Sequence, residues 1–388
     1  MDITITPQKL SGLLTVIPSK SQAHRYLICA AFADVPTRLL CPETNQDIEA
    51  TARCLTALGA AVTRTKDGYQ IEPIREVPRE ALLQCGESGS TLRFLLPIAG
   101  ALGVDATFIM EGRLPHRPLS PLWEEMERMG CTLSRPAPDR VRCTGRLRAG
   151  EYEIDGSVSS QFITGLLFAL SVMDGESNLE IRGNVQSTPY IDMTRAAMAR
   201  FHAPLYHSPD VVAVEGDWSN GAFWLAANAC GCAIEIANLS PESPQGDRAV
   251  TSLLPMLENH CVIDASDIPD LVPILAVVAA AKNGAVFTGT ARLRLKESDR
   301  VASVVSMINA LGGKAEATED TLTISGAGLT GGIVDSCNDH RIAMAAGIAA
   351  TVCVSPVTIL AAESVNKSYP TFWEEYRKLG GKYEQYLR

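Results

Sequence analysis

One sequence pattern recurs along the chain: a predicted short strand, then a small polar turn, then a predicted helix rich in Ala and Leu. The six copies have their turns near residues 20, 89, 159, 219, 270 and 341. Most copies are followed by an amphipathic helix, a turn and an alternating strand, so the predicted repeating unit is βαβαββ. Each unit spans about 60–70 residues. The predicted fold class is therefore α/β.

The six copies divide into two groups of three. The chain has 388 residues, which is too long for one compact core and suits two domains of under ~200 residues each. We place the join near Gly216 and predict an N-terminal domain over residues 13–216. The first dozen residues contain an extra strand, MDITITP, which we assign to a C-terminal domain of residues 1–12 and 217–388.

Composition excludes several classes of protein. The net charge is −10, from 34 basic and 44 acidic residues, whereas nucleic-acid-binding proteins usually carry an excess of positive charge. An anion must therefore be bound by a local cluster of cations. The eleven cysteines include no CxxC pair, and we interpret them as reduced, mostly buried residues of a cytoplasmic protein. The apolar stretches within 271–281 and 342–354 are too short to span a bilayer, so no membrane association is predicted.

The polar turns stand directly before helices, where backbone N–H groups and the helix dipole favour anions. For a single turn the simpler interpretation is that its Ser or Asp only caps the helix. Cations, however, recur at these turns and in loops. They are Lys20, Arg25, Arg93, Arg113, Arg117, Lys296, Arg300, Arg341 and Lys367. One of them alone would be interpreted as a solvated surface charge, but their recurrence indicates a multi-cation site for small phosphate or carboxylate anions.

One pattern imitates a dinucleotide-binding loop. Residues 326–331 fit GxGxxG and follow a predicted strand, but another strand-like run comes next and no helix opens there, so the Rossmann context is missing. The chain has no GxxxxGK[ST] loop, and its histidines lack the spacing of metal ligands. We therefore predict neither a cofactor nor a metal.

Nine short motifs follow one another along essentially the whole chain. They are PSKSQAHR (18–25), GESGSTLR (86–93), RLPHRP (113–118), SVSSQF (157–162), STPYID (187–192), DIPDLVP (267–273), RLKESDR (294–300), CNDHR (337–341) and NKSYP (366–370). In this order they resemble the 5-enolpyruvylshikimate-3-phosphate (EPSP) synthase family. The resemblance implies two inverse α/β barrel-like domains, each of three βαβαββ repeats, with the active site in the cleft between them.

The resemblance also implies a reaction and its substrates. The enolpyruvyl group of phosphoenolpyruvate would pass to the 5-hydroxyl of shikimate 3-phosphate, on the route to chorismate and the aromatic amino acids. The implied ligands of shikimate 3-phosphate are Lys20, Ser21, Arg25, Ser159, Ser160, Gln161, Ser187, Asp270 and Lys296, with Tyr190 near the ring. The implied ligands of phosphoenolpyruvate are Lys20, Gly89, Arg117, Gln161, Arg300, Arg341 and Lys367, with Arg93 and Arg113 farther out.

Three of these residues are implied to take part in proton transfer. Asp270 is implied as the base for the 5-hydroxyl, provided that its site raises its pKa or the reaction drives the transfer. Glu297 or Lys20 is implied as the acid that protonates C3 of phosphoenolpyruvate. Lysine and arginine side chains would stabilise the tetrahedral intermediate before phosphate leaves. On spacing alone, Asp270 would be interpreted as a helix N-cap.

Some positions depart from the common pattern of the family. The Gly that often precedes Ser19 and Lys20 is missing, Glu87 and Phe94 alter the run around Gly89, and Arg292 stands where Asn is frequent. The family is the target of the herbicide glyphosate, and these changes leave the sensitivity of this chain open.

Two alternatives stand beside this interpretation. The sister enolpyruvyl transferase that acts on UDP-N-acetylglucosamine usually carries a reactive cysteine in the loop that corresponds to residues 113–118, and this loop has none. A non-catalytic protein that binds phosphorylated metabolites would have no use for carboxylates at both Asp270 and Glu297. Nothing in the sequence requires more than a monomer.

Overall fold

Strands and helices alternate over residues 1–386, the part of the chain that the computed structural model describes. The strands are β1 (Asp2–Thr6), β2 (Ser11–Thr15), β3 (Thr37–Leu40), β4 (Ala61–Thr65), β5 (Gly68–Glu72), β6 (Glu80–Gly86), β7 (Asp105–Met110), β8 (Cys131–Ala137), β9 (Arg140–Gly145), β10 (Glu151–Asp155), β11 (Asn178–Arg182), β12 (Val211–Ala213), β13 (Ala233–Ala237), β14 (Cys261–Asp264), β15 (Ala285–Thr288), β16 (Lys314–Ala317), β17 (Thr321–Ser325), β18 (Gly332–Asp335), β19 (Val357–Leu360) and β20 (Lys382–Tyr386).

The helices connect these strands. They are α1 (Lys20–Ala31), α2 (Gln46–Ala57), α3 (Gly89–Leu102), α4 (Leu122–Arg128), α5 (Ser160–Ser171), α6 (Thr188–Arg200), α7 (Trp218–Ala229), α8 (Val250–Met256), α9 (Val272–Ala281), α10 (Arg300–Ala310), α11 (His340–Ala349) and α12 (Phe372–Lys378). Within residues 1–386 no helix has the length and apolar character that crossing a membrane requires.

The chain forms two compact units, one of Pro18–Val214 and one of Met1–Ile17 with the residues from Glu215 onward. The sequence analysis put the boundaries after residues 12 and 216 instead. The first boundary lies later because β2 pairs in parallel with β13 of the same unit, so residues up to Ile17 stay with it. At the second boundary, Val214 donates its N–H to the carbonyl of Leu40 and so belongs to the other unit.

The βαβαββ repeat is seen most clearly from β6 to β9. Its sheet has the order β6-β7-β9-β8, with β6 and β7 parallel and the last two strands antiparallel to their neighbours. The stretch from β14 to β17 repeats this order. The predicted pattern is therefore present in both units.

Two further repeats take a strand from elsewhere in the chain. β1 lies between β19 and β20, antiparallel to both, and completes the sheet β18-β19-β1-β20. β12 pairs in parallel with β3 and begins the sheet β12-β3-β5-β4. The extra strand predicted from MDITITP is β1. The strand that follows α6 is β12, and it pairs with β3 and does not complete the repeat that contains α6.

The remaining two repeats are shorter than predicted. Each has a sheet of two parallel strands, β10-β11 or β13-β2, and among residues 1–386 neither sheet has the final antiparallel pair. After α6 the chain folds back onto the first repeat, where Asp34 donates its N–H to Tyr206 and Arg38 donates to Asp210. After α8 only residues 257–260 precede β14. The prediction of six complete βαβαββ units is therefore wrong for these two.

Three helices are buried almost completely. α11 is buried at every residue, α9 at every residue but the last, and α3 at all but Ser90 and Leu102. Such helices carry apolar residues on all sides because no face meets water. The polar residues of their first turns are consequently removed from water as well, and this sets the chemistry of the site.

Candidate active site

Five of the six polar turns supply a side chain that caps the following helix, in agreement with the simpler interpretation, and the turn at Asp270 is the exception. Ser88 accepts a hydrogen bond from the N–H of Thr91, and Asp339 accepts one from the N–H of Arg341. Ser19, Ser159 and Asp217 cap α1, α5 and α7 in the same way. Each cap uses one of the free N–H groups of its helix, and the cations beside the caps add a second feature that capping does not require.

In the unit of Pro18–Val214, two arginines come close to the N-terminus of α3. A Cβ atom on Gly89 would lie 2.6 Å from Nη1 of Arg117 and 2.7 Å from Nη1 of Arg93, so the glycine lets both guanidinium groups come this close to the start of the helix. Gln161 of α5 accepts a hydrogen bond from Arg93 at 3.0 Å and donates one to Ser90, also at 3.0 Å. Two guanidinium groups at the positive end of a helix form a natural site for an anion.

Lys20 begins α1 and forms an ion pair with Asp47, with Nζ 2.9 Å from Oδ2. Its side chain is 15% exposed, so it is held yet open to solvent. The carbonyl oxygen of Asp47 lies 3.5 Å from the hydroxyl of Thr91 in the first turn of α3. The predicted ligands Lys20 and Gly89 are thus linked through α2.

Arg25 is buried and joins α1 to α5 and α6. It donates to the hydroxyl of Thr194, the carbonyl of Tyr190 and the carbonyl of Ser21, at 2.9, 2.8 and 2.7 Å. Burial lowers its pKa to about 10, so it remains charged at neutral pH. Ser21 and Arg25 are one helical turn apart in α1 and in contact. Arg25 therefore has a structural role in addition to any contact with a ligand.

The other predicted serines lie at helix starts of the same unit. Ser159 caps α5 and Ser160 is its first residue, 5% exposed. Ser187 precedes α6 in a left-handed conformation, with φ of 58°, and is buried. Arg113 precedes a single 3-10 turn, Leu114–His116, that leads into Arg117.

In the other unit, Arg300 is the centre of a buried cluster of charges. Its Nη1 lies 2.7 Å from Oδ1 of Asp270, its Nη2 lies 2.7 Å from Oε2 of Glu297, and its Nε lies 3.0 Å from Oδ2 of Asp339. Arg300 and Asp339 are fully buried, whereas the side chains of Asp270 and Glu297 are 23% and 22% exposed. The planar guanidinium group holds three carboxylates in fixed directions.

Asp270 does not cap a helix. α9 begins at Val272 after Leu271, without a side-chain cap, and the Asp270 carboxylate instead contacts Arg300 and, at 3.5 Å, Arg341. Burial acts to raise its pKa, but Arg341, Lys296 and Arg300 outweigh burial and hold the pKa well below its usual range. The condition that the site raises this pKa is therefore not met, and Asp270 is an ionised carboxylate that accepts hydrogen bonds.

Lys296 and Glu297 lie before α10, not in it. A 3-10 turn of Ala291–Leu295 comes first, and Asp299 caps the helix that starts at Arg300. The spacing of four between Lys296 and Arg300 would place them on one face of a helix, but Lys296 lies outside α10. The contact between Glu297 and Arg300 does form. Burial lowers the pKa of Lys296 to about 8, against the attraction of Asp270.

Arg341 is buried in the first turn of α11. Burial opposes its charge, but Asp270, Asp217 and Asp247 outweigh burial and raise its pKa. Its Nε and Nη1 atoms have no hydrogen-bond partner among the described residues. Lys367 contacts the turn that precedes Arg341, because its Nζ donates to the carbonyl of Asn338 at 2.7 Å. This arrangement provides cationic donors for an anion.

Two further carboxylates of this cluster, Asp247 and Asp339, were not predicted from the sequence. Asp247 lies in a 3-10 turn, Gly246–Ala249, accepts a hydrogen bond from Ser219 and is buried. Burial and the charge of Asp270 raise its pKa to about 7, against the effect of Arg341. Asp339 belongs to the motif CNDHR, and it forms an ion pair with Arg300 and caps α11. The only feature of the sequence that could have drawn attention to Asp247 is that it directly follows Gly246.

The chain matches one family model over nearly all of its length. The sequence model of EPSP synthase (3-phosphoshikimate 1-carboxyvinyltransferase) matches residues 5–264 and 255–376. The chain belongs to the EPSP synthase family. The 3-phosphoshikimate 1-carboxyvinyltransferase of Clostridium kluyveri is 36% identical, covering 99% of this chain and 98% of that protein. That of Clostridium acetobutylicum is 38% identical, covering 98% and 97%.

Solved structures give the same fold. An EPSP synthase of Acinetobacter baumannii has a TM-score of 0.79 at 22% identity, covering 99% of this chain and 100% of that one. The enolpyruvyl transferase NikO of Streptomyces tendae has a TM-score of 0.73 at 17% identity, covering 99% and 98%. The predictions of the EPSP synthase family, of an α/β fold and of an enolpyruvyl-transferring enzyme are therefore confirmed.

Proposed function

We propose that this chain transfers the enolpyruvyl group of phosphoenolpyruvate to the 5-hydroxyl of shikimate 3-phosphate with the two groups of residues described above. The observation that carries this assignment is Arg300, which holds Asp270 and Glu297 at 2.7 Å each. These are the two carboxylates that the reaction needs, one for each proton that moves. The proposal requires that both groups of residues reach the same pair of substrates.

Phosphoenolpyruvate is a small trianion, and its proposed ligands are mostly cations. In one unit they are Lys20, Gly89, Arg117 and Gln161, and in the other Arg300, Arg341 and Lys367. The support is the approach of Arg93 and Arg117 to Gly89, together with the Nε and Nη1 atoms of Arg341 that lack a partner within residues 1–386. Buried donors of this kind gain most from an anion that accepts their hydrogen bonds.

Shikimate 3-phosphate carries hydroxyls, a carboxylate and a phosphate. Its proposed ligands are Lys20, Ser21, Arg25, Ser159, Ser160, Gln161, Ser187, Asp270 and Lys296. The support is that Ser159, Ser160 and Ser187 lie at helix starts, where hydroxyl and N–H donors suit a phosphate. Arg25 contributes mainly by holding these helices together.

The proton transfers follow from the charges. The 5-hydroxyl gives its proton to Asp270 as its oxygen bonds to C2 of phosphoenolpyruvate, and C3 receives a proton from Glu297 or Lys20. The C2–O bond to phosphate then breaks, and C3 returns its proton as the double bond re-forms. Because the pKa of Asp270 is held low, the reaction itself must drive the first transfer, and cations stabilise the charge that develops.

The reaction is tested by phosphate release from phosphoenolpyruvate with each candidate acceptor in turn. We expect release with shikimate 3-phosphate and none with UDP-N-acetylglucosamine. Release with the nucleotide sugar alone would favour the sister enzyme, and binding without release for either acceptor would favour a metabolite sensor. Light scattering on the same sample tests the expected monomer.

The role of Asp270 is tested with Asp270→Asn. We expect kcat to fall by about 10²–10⁴-fold, with both substrates still bound in calorimetry, because the amide keeps the size of the side chain but accepts no proton. Asp139→Asn is a matched control, since Asp139 is half exposed. Near-normal turnover of Asp270→Asn would remove Asp270 from the role of base.

A further inference from the structure

A buried chain of side-chain hydrogen bonds joins the first three helices of the unit Pro18–Val214. Nδ1 of His24 in α1 lies 2.7 Å from the hydroxyl of Thr51 in α2, and that hydroxyl lies 2.7 Å from the hydroxyl of Thr91 in α3. Thr91 in turn donates to Ser88 at 2.7 Å. All four residues are at most 1% exposed, so water does not replace any of these bonds.

Two members of this hydrogen-bond chain, Ser88 and Thr91, lead to proposed ligands of phosphoenolpyruvate. Ser88 caps α3, whose first residue is Gly89. Thr91 also lies 3.5 Å from the carbonyl of Asp47, the residue that holds Lys20 at 2.9 Å. A shift of one buried hydroxyl would therefore move the N-terminus of α3 relative to Lys20.

His24 is neutral, because burial lowers its pKa well below its usual value, and Lys20 and Arg25 add to the effect. A neutral imidazole has one N–H, on Nδ1 or on Nε2. Nε2 of His24 is buried and has no hydrogen-bond partner within residues 1–386, and the ring meets Phe94 edge to face at 6.2 Å. Since a buried N–H without an acceptor is rare, the proton is assigned to Nδ1.

This tautomer determines which group donates in each hydrogen bond from His24 to Ser88. The Nδ1–H donates to Thr51, Thr51 donates to Thr91, and Thr91 donates to Ser88, so each of the two threonine hydroxyls donates once and accepts once. Ser88 also accepts the backbone N–H of Thr91 at 3.2 Å. With the proton on Nε2, every hydroxyl would have to donate in the opposite direction. The ring N–H would then be buried without an acceptor.

We propose that His24 is a positioning residue for the enolpyruvyl transfer, which sets the direction of this hydrogen-bond chain and thereby the spacing between Lys20 and the N-terminus of α3. The inference rests on the proposed function for its kinetic consequence. His24 touches neither substrate in this proposal and acts through Thr51, Thr91 and Ser88.

The kinetic test compares two substitutions. His24→Asn keeps an N–H donor near the position of Nδ1, whereas His24→Leu removes it at similar bulk. We expect kcat/KM for phosphoenolpyruvate to fall by about tenfold in His24→Leu and to stay within about threefold of the wild type in His24→Asn. Thr51→Val should reproduce the loss, and the double variant His24→Leu/Thr51→Val should be no worse than either single one, because both break the same chain.

Two outcomes would overturn the inference: equal losses in the Asn and Leu variants, or additive losses in the double variant. A nitrogen NMR spectrum of the histidine-labelled wild type gives a readout that is independent of activity, with His24→Asn assigning the signal. We expect a neutral ring with its proton on Nδ1 at all pH values between about 6 and 8. A proton on Nε2, or a titration in that range, would reject the inference even if the enzyme is active, whereas absent turnover with the expected spectrum would reject only the proposed function.

Discussion

Arg300 holds Asp270 through a contact of 2.7 Å between Nη1 and Oδ1, and the same guanidinium group holds Glu297 and Asp339. One carboxylate would neutralise the charge of a buried arginine, but Arg300 forms ion pairs with three. Arg341 adds a second cation at 3.5 Å from Asp270. The candidate base is therefore kept ionised and oriented by its neighbours, and its basicity depends on them.

Replacing Arg300 by lysine should separate orientation from charge. The single ammonium group of Arg300→Lys cannot span three carboxylates, so we expect kcat/KM to fall by about 10²-fold or more. The pKa of Asp270 should rise as the nearest cation moves away, which shifts the acid limb of the kcat profile to higher pH.

The matched control is Arg294→Lys, because Arg294 is 34% exposed and pairs with Asp299 at the surface. Steady-state rates from pH 5 to 9 for the two variants provide the measurement. Rates for Arg300→Lys within threefold of the wild type, with an unmoved acid limb, would contradict the structural account.

Much of this arrangement could be predicted from local sequence. The apolar runs of α3, α9 and α11 and the caps Ser88 and Asp339 are short-range features, and such features fix helix starts. The cations of the first helical turns were found for the same reason. The family resemblance then supplied the substrates, which no local pattern could give.

The features that were missed depend on distant residues. The raised pKa of Asp247 comes from burial and from Asp270, and β12 pairs with β3, far earlier in the chain. The short repeat of β10 and β11 was not predicted for the same reason, because β12 follows it in the sequence but pairs with β3. The alignment with the Clostridium kluyveri protein spans 422 positions, more than the 388 residues of this chain, so that relative has segments absent here.

Gly89→Ala should affect phosphoenolpyruvate more than shikimate 3-phosphate. The added Cβ would lie 2.6 Å from Nη1 of Arg117 and 2.7 Å from Nη1 of Arg93, and both guanidinium groups are the flexible ends of their side chains. We expect them to move aside, so that stability changes little while KM for phosphoenolpyruvate rises by about tenfold or more.

The unchanged KM for shikimate 3-phosphate serves as the internal control for Gly89→Ala, and thermal unfolding reports on stability. Inhibition by glyphosate, measured on wild type and variant together, tests whether the same space around Gly89 admits that herbicide in this chain. A rise of both KM values by the same factor would indicate general damage to the fold instead.

The exposed thiol of Cys337 should be the most reactive of the eleven. The other ten cysteines are buried or half-buried, and thiols without access to solvent react slowly. We expect one thiol per native chain to react rapidly with a disulfide reagent, and all eleven to react after unfolding. Cys337→Ser should abolish the rapid phase, and rapid reaction of several thiols in that variant would show that the buried cysteines are accessible.

Asp247 should make the unliganded protein less stable as the pH rises from about 4 to about 7. Its pKa is raised from 3.8 to about 7 in the folded chain, so within this range the folded state holds a proton that the unfolded state has released, and the free energy of unfolding falls with pH. A pKa difference of one corresponds to about 1.4 kcal/mol, so the full effect is on the order of 4 kcal/mol. Asp270 does not interfere, because its pKa is lowered and its contribution changes below this range.

The measurement is urea unfolding at several pH values for the wild type and Asp247→Asn. The amide cannot ionise and still accepts the hydrogen bond from Ser219, so the difference in unfolding free energy between wild type and variant should drift in favour of the variant as the pH rises. Asp139→Asn, at a half-exposed position, should show no such drift. Parallel curves for wild type and Asp247→Asn would mean that Asp247 is ionised throughout this range, and that the cations around Asp270 outweigh its burial too.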